Sequence, residues 1–147
     1  MDDQILDVPP TLKQKLYFAG FWIRFAAALI DGIIVTGVNA MLASSFFDDY
    51  SVINPPLEAH VLFVILATTY FSAMESSAAQ ATLGKMAMGI RVGTIGGGEI
   101  TLATAIGRCV AKGLSALIFF TGFLMAAWTP KNQALHDRLA RTYVYYA

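Results

Sequence analysis

Apolar residues fall along this chain in three long blocks, separated by short polar or glycine-rich stretches. The first block runs from Phe18 to Ala43 and is broken only by Arg24 and Asp31. The second runs from about Leu57 to Ala79, with Glu58 and His60 near one end and Glu75 near the other. The third runs from Ala103 to Thr129 and carries Arg108 and Lys112 in its first half. A hydrocarbon core takes roughly 20 residues of helix. The pattern therefore predicts an all-α membrane protein. It has two transmembrane helices and a third helical segment that either crosses or re-enters. Period-two patterning occurs only near Ile90 and at the C-terminus. "GIRVGTIGGGEIT" reads as a hairpin with a glycine turn at Gly96 to Gly98 and a short return strand. "RTYVYYA" is a β-prone run without a local partner. Pairing the two predicts a small β element, which loop charge places in the cytoplasm.

Loop charge orients the blocks. Ser44 to Pro56 holds Asp48 and Asp49 but no Lys or Arg, whereas Lys13, Lys15, Lys85 and Arg91 flank the opposite ends of the first two blocks. Cytoplasmic loops collect basic residues, so the N-terminus is expected inside and the Asp48–Asp49 loop outside. A plain third crossing would carry Lys131, Arg138 and Arg141 outward. A re-entrant third segment, turning near "FFTGF", keeps them inside and lets the two β-prone runs meet. It needs its turn buried in protein. A single crossing from Gly113 to Thr129 is the rival.

Composition agrees with the pattern. Of 147 residues, 56% are hydrophobic and 14% charged, against about a quarter charged in soluble domains. Net charge is zero, which gives no argument for nucleic acid, and the single Cys109 excludes an internal disulfide and a cysteine-rich metal site. Residues 1–16 read as a polar N-terminal arm, and residues 17–147 as one membrane domain. The first block is too long for a signal core and is expected as a retained anchor.

The charges inside the blocks are the candidate chemistry. Arg24 and Asp31 are two turns apart on one helical face, about 10 Å along the axis. Asp31 lies near mid-span, where an unpaired carboxylate costs at least ~2.5–3.5 kcal/mol. It either meets a basic partner from the third segment or serves a polar or proton pathway. Arg24 taken alone reads as a snorkelling side chain. Arg108 and Lys112 share one face of an otherwise apolar helix, which suits an interfacial helix on anionic lipid. Lys112 reads as a lipid anchor, and Arg108, with its planar fork, as the better partner for an intramembrane carboxylate. Glu75 closes the second block in a polar cluster that also reads as a solvated helix end. "QALHDRLA" carries His136, Asp137 and Arg138. No paired nucleophile accompanies them, so a helix at the inner face is expected rather than catalysis. "GTIGGGEI" has the wrong spacing for a dinucleotide loop. A Lys85–Asp137 contact is expected if the terminal strand pairs with the hairpin.

Taken together, the motifs resemble the RDD family of small bacterial membrane proteins, named for one arginine and two aspartates. "AGFWIRFAAALID" supplies Arg24 and Asp31. "ATLGKMAMGIRV" supplies Thr82, Gly84, Lys85, Gly89 and Arg91. "QALHDRLARTYV" supplies Gln133, His136 and Asp137. The likeness covers Tyr17 to Val144. Family members often carry glycine where this chain has Arg141. The resemblance implies a multi-pass protein of the bacterial cytoplasmic membrane, with transport of an unknown ligand as the usual suggestion and cation/proton exchange proposed for some members.

The leading expectation is a transporter or transporter component, with Arg24, Asp31, Glu75, Arg108 and Asp137 forming an intramembrane polar network. The alternative is a membrane adaptor or assembly factor whose charges fix helix pairing. A wet cavity reaching Asp31 would favour the first, and a dry closed network the second. No cofactor or metal is expected and no enzyme activity. The lipid bilayer is the expected partner. Gly32, Gly37 and Ala40 would permit the close packing of a homo-oligomer.

Overall fold

The computed structural model describes residues 17–117 and 133–147. Its elements are α1 (Phe21–Phe46), α2 (Leu57–Glu75), α3 (Leu83–Ala87), β1 (Ile90–Gly93), α4 (Leu102–Leu117), α5 (Leu135–Leu139) and β2 (Tyr143–Tyr146). Two of them, α1 and α2, are long and apolar enough to cross a membrane. They turn large apolar side chains outward, among them Trp22, Ile33, Met41, Val64 and Ile65. With lipid as the surrounding solvent this is the favourable arrangement. At 26 residues, α1 is about 39 Å long, more than the ~30 Å hydrocarbon core.

The buried stripe of α1 is Ala27, Asp31, Val35, Asn39 and Ala43, one residue every four. Small residues at both ends of the stripe let neighbouring backbones approach closely. The second helix stops at Glu75, short of the expected Ala79. Ser76 and Ser77 explain the stop. Their hydroxyls donate back to the carbonyls of Ser72 and Met74 at 2.7 Å each, competing with continuation of the helix. Gln80 then takes a left-handed φ of 52° and reverses the chain into α3, which Thr82 caps by accepting from the Lys85 amide.

The two β-prone runs pair as expected. Strands β1 and β2 are antiparallel, with Ile90 opposite Tyr146 and Val92 opposite Val144. The expected return strand of the hairpin does not form. Thr94 to Gly98 is a closed turn, with Thr94 N donating to Gly98 O at 2.9 Å. The other edge of β1 is already taken by Gln80. Val92 N donates to Gln80 O at 2.7 Å, and Gln80 Nε2 donates to Val92 O at 3.1 Å. The segment just before α1 joins on the far side of β2, through Ala19 N to Val144 O at 2.8 Å and Tyr146 N to Tyr17 O at 3.0 Å. Phe18 stacks on Tyr145. A small core of Ala19, Ala27, Ile90, Val92, Ile100, Ala105 and Val144 ties the sheet to the starts of α1 and α4.

In α4, Ala105, Arg108 and Ala111 are buried while Leu102, Ile106 and Val110 face outward. The turn of the third block, on which the choice between re-entry and crossing rests, lies outside the described residues.

Candidate functional site

Where the first turn of α1 meets the last turn of α2, the charged residues converge on two carboxylates. Glu75 is fully buried. Its Oε1 accepts from Lys85 Nζ at 2.5 Å and from Lys112 Nζ at 2.9 Å, and its Oε2 accepts from Arg108 Nε at 3.0 Å. Asp137 is also fully buried. Its Oδ1 accepts from Arg108 Nη1 at 2.5 Å, and its Oδ2 accepts from Arg24 Nη1 at 2.5 Å and from the Ala134 amide at 3.1 Å. Arg108 therefore bridges both carboxylates from α4 and also donates to Thr142 Oγ1. Arg24 Nε donates to Ala19 O at 3.0 Å.

Helix positions explain the convergence. Asp137 is the third residue of α5, where an acidic side chain reaches back to the N-cap amide and suits the positive helix end. Arg108 and Lys112, one turn apart, present a common face to the end of α2. Lys112 runs along α2 with its ammonium 4.6 Å from the centre of the Phe71 ring. Taking an ion out of water costs several kcal/mol, recovered only when geometry is good and remaining lone pairs are satisfied. Each of the four carboxylate oxygens of Glu75 and Asp137 meets at least one donor.

Asp31 sits in a separate cradle of neutral donors. Its Oδ1 accepts from Tyr70 Oη at 2.8 Å and from the Gly84 amide at 2.8 Å, and its Oδ2 accepts from Thr82 Oγ1 at 2.6 Å. Tyr70 Oη in turn accepts from the Leu83 amide at 3.0 Å. The cradle is the beginning of α3 pressed against α1. A Cβ added at Gly84 would lie 2.2 Å from Ala27 O and 2.8 Å from Asp31 Cγ, so only glycine allows this approach.

Several expectations need correcting. Asp31 has no basic partner from α4, because Arg108 is committed to Glu75 and Asp137, and Lys112 to Glu75. Arg24 does not snorkel freely but pairs with Asp137. Lys112 points to Glu75 rather than serving as a lipid anchor alone. Glu75 is the centre of the network, not a solvated helix end. Lys85 and Asp137 do not touch. They belong to one network, joined through Glu75 and Arg108. Gln133 Nε2 donates to Thr142 O at 3.0 Å and steadies the entry to β2. His136 Nε2 lies 3.4 Å from Asp137 Oδ1. Two participants were missed. Tyr70 is a phenol inside an apolar block, and a buried phenol usually finds a partner. Thr142 gave no comparable signal.

Titration outside the spans follows the same geometry. Burial pushes Lys85 down to about 8, although Glu75 beside it works the other way. Burial likewise pushes His136 down to about 3, with Asp137 opposing and Arg108 reinforcing. Burial would raise Asp137, but Arg108, His136 and Arg24 outweigh it and hold its carboxyl well below the usual range. Arg141 has φ 52°, the left-handed conformation that glycine adopts without strain.

The comparisons with known proteins fit this architecture. The family model "RDD family" matches residues 18–141. Among relatives in Bacillus subtilis (strain 168), "Uncharacterized protein YxaI" is 33% identical over 147 residues, covering 87% of this chain and 97% of that protein. "Uncharacterized membrane protein YteJ" is 32% identical over 136 residues, covering 86% of this chain and 80% of that protein. "Uncharacterized protein YckC" is 33% identical over 135 residues, covering 88% of this chain and 85% of that protein. No solved structure matches the chain. The matched stretch holds both long apolar helices, the Asp31 cradle and every charged residue of the network; this integral membrane protein belongs to the RDD family.

Proposed function

We propose that the chain is a non-enzymatic membrane adaptor or assembly factor, in which the intramembrane charges fix how the helices pair. One observation carries this reading. Asp31, Glu75, Arg108 and Asp137 are each at most 1% exposed, with their polar atoms engaged by other residues of the chain. A conduit needs water or a ligand path to at least one of them. A cleft of about 380 Å³ among the described residues is lined by Thr94, Ile95, Gln133, Arg138, Arg141 and Tyr143. None of the four buried charges is among them.

A second reading, cation/proton-coupled transport, keeps one observation in its favour. Among the described residues Asp31 is held by neutral donors, so it could release them to a cation while exchanging a proton. Flux separates the two. Full-length protein in liposomes, with a panel of alkali cations and an imposed pH gradient, should give no flux above empty liposomes. Asp31→Asn should lose stability in detergent. Cation-dependent flux that Asp31→Asn abolishes in a folded protein would overturn the adaptor reading. The orientation proposed from loop charge puts both termini in the cytoplasm of a bacterial cell. A reporter fused after Ala147 tests it, and a periplasmic signal would refute it.

A further inference from the structure

Among the described residues the network is not electrically balanced. Four cations, Arg24, Lys85, Arg108 and Lys112, meet two carboxylates, Glu75 and Asp137. His136 does not enter the sum, because burial keeps it neutral at pH 7. Counting Asp31 in its nearby cradle as an anion still leaves one positive charge over. Residues 118–132 contain no Asp or Glu. Asp48, Asp49 and Glu58 flank the opposite ends of the two long helices, Glu99 is exposed in the loop before α4, and Asp2, Asp3 and Asp7 fall in residues 1–16, outside the described residues.

The excess is concentrated on one side. Lys85 and Lys112 share a single oxygen, Glu75 Oε1, so two ammonium groups divide one acceptor. An ammonium carries three donors, and each of these lysines has one accounted for by that oxygen. Arg24 Nη2 is buried without a hydrogen-bond partner among the described residues. Lys112 is the most accessible of the four cations, with 20% of its side chain exposed.

The position of the cluster suggests what completes it. It lies at the first turn of α1 and the last turn of α2, where the apolar spans end. Trp22 and Phe25 are exposed on that first turn, and aromatic residues collect at the headgroup level of membranes. A phosphate at this depth supplies several acceptor oxygens and one or two negative charges.

We propose that the Lys85–Lys112 side of the network binds a phosphate group, as the headgroup of an anionic phospholipid or as free phosphate. The bound group accepts the spare ammonium donors and neutralises the excess charge. This proposal does not depend on whether the protein transports anything.

Full-length protein in nanodiscs of mixed phosphatidylcholine and phosphatidylglycerol tests it, with co-purifying lipid counted by native mass spectrometry. The wild type should enrich phosphatidylglycerol. Lys112→Gln should reduce that enrichment about fivefold, the equivalent of the ~1 kcal/mol that one basic residue gains near an anionic surface. Lys112→Arg should restore it. Glu75 keeps Lys85 and Arg108 in Lys112→Gln, so the melting temperature in neutral detergent should be retained. A parallel arm measures the wild-type melting temperature in phosphate against chloride at matched ionic strength. Stabilisation by phosphate beyond that given by sulfate, lost in Lys112→Gln and seen without lipid enrichment, identifies free phosphate as the occupant. A wild type that shows no lipid enrichment and no phosphate stabilisation overturns the proposal. So does enrichment that Lys112→Gln leaves unchanged.

Discussion

Replacing Gly84 by alanine tests whether the Asp31 cradle holds α3 against α1. The added Cβ would lie 2.2 Å from Ala27 O and 2.9 Å from Asp31 Oδ1. Both belong to α1, and Ala27 O is helix backbone, so the nearer obstacle cannot swing aside. Carbon contacts settle at about 3.5 Å or more, so α3 must retreat by roughly 1.3 Å. The Gly84 N–Asp31 Oδ1 bond is now 2.8 Å. A retreat of that size stretches it to roughly 4 Å, beyond hydrogen-bonding range. Overpacking costs about 1–3 kcal/mol, and a hydrogen bond to a charged group contributes about 1.5–3 kcal/mol. The expected loss is about 3 kcal/mol or more. At roughly 2–4 °C per kcal/mol for a chain of this size, the melting temperature in detergent should fall by about 6–12 °C. Gly107→Ala is the control, since nothing lies within 4 Å of a Cβ there. In the interior of α4 it should stabilise by about 0.5–1 kcal/mol. Thermal unfolding followed by circular dichroism compares the two. A Gly84→Ala protein that melts with the wild type would refute the close approach and the role given to the cradle.

Glu75→Gln keeps the shape but removes the charge that faces Lys85, Arg108 and Lys112. It should cost about 3–5 kcal/mol, as expected when a buried pair loses one member, and detergent unfolding would reveal it. Acid should destabilise the protein in two stages. His136 binds fewer protons folded, at about 3, than unfolded, at about 6.5. Stability is therefore lost as pH falls from about 6.5 towards 3. The depressed Asp137 carboxyl adds a further loss below about 4, its ordinary range. His136→Gln should flatten the first stage in a pH series of melting curves, and an unchanged slope there counts against it. Arg141→Gly should raise stability by about 1 kcal/mol by relieving the left-handed backbone. A lower melting temperature would show that the arginine side chain outweighs the strain.

Much of the architecture was legible in the sequence. Apolar length exposed the two long helices, and one C-terminal β-prone run without a local partner foretold the β1–β2 pairing. The wiring of the charges was not legible. Arg24 and Asp31 share a face, but two turns of separation put them opposite different elements, α5 and α3. Partners also came from backbone, which residue identity does not advertise. The Gly84 amide holds Asp31, and the Ala134 amide holds Asp137. The motif around Thr82 and Gly84 marked the right positions without indicating that they would surround Asp31. The return strand failed because a single residue, Gln80, occupies the edge it needed.

The ion pair between Arg24 and Asp137 spans 113 residues, and this separation imposes an order of events during synthesis. Chains elongate at about 5–20 residues per second, so roughly 6–23 s separate the appearance of the two partners. Through that interval Arg24, and later Arg108, must persist without their contacts to Asp137. The edge of the sheet is in the same position, since Tyr17 and Ala19 wait for Val144 and Tyr146. Insertion of the long helices and completion of the charge network are therefore separate steps. The second occurs only once Asp137 has left the ribosome. A nascent protein stalled before Asp137 would be membrane-inserted yet unlatched, and a target for quality-control proteases.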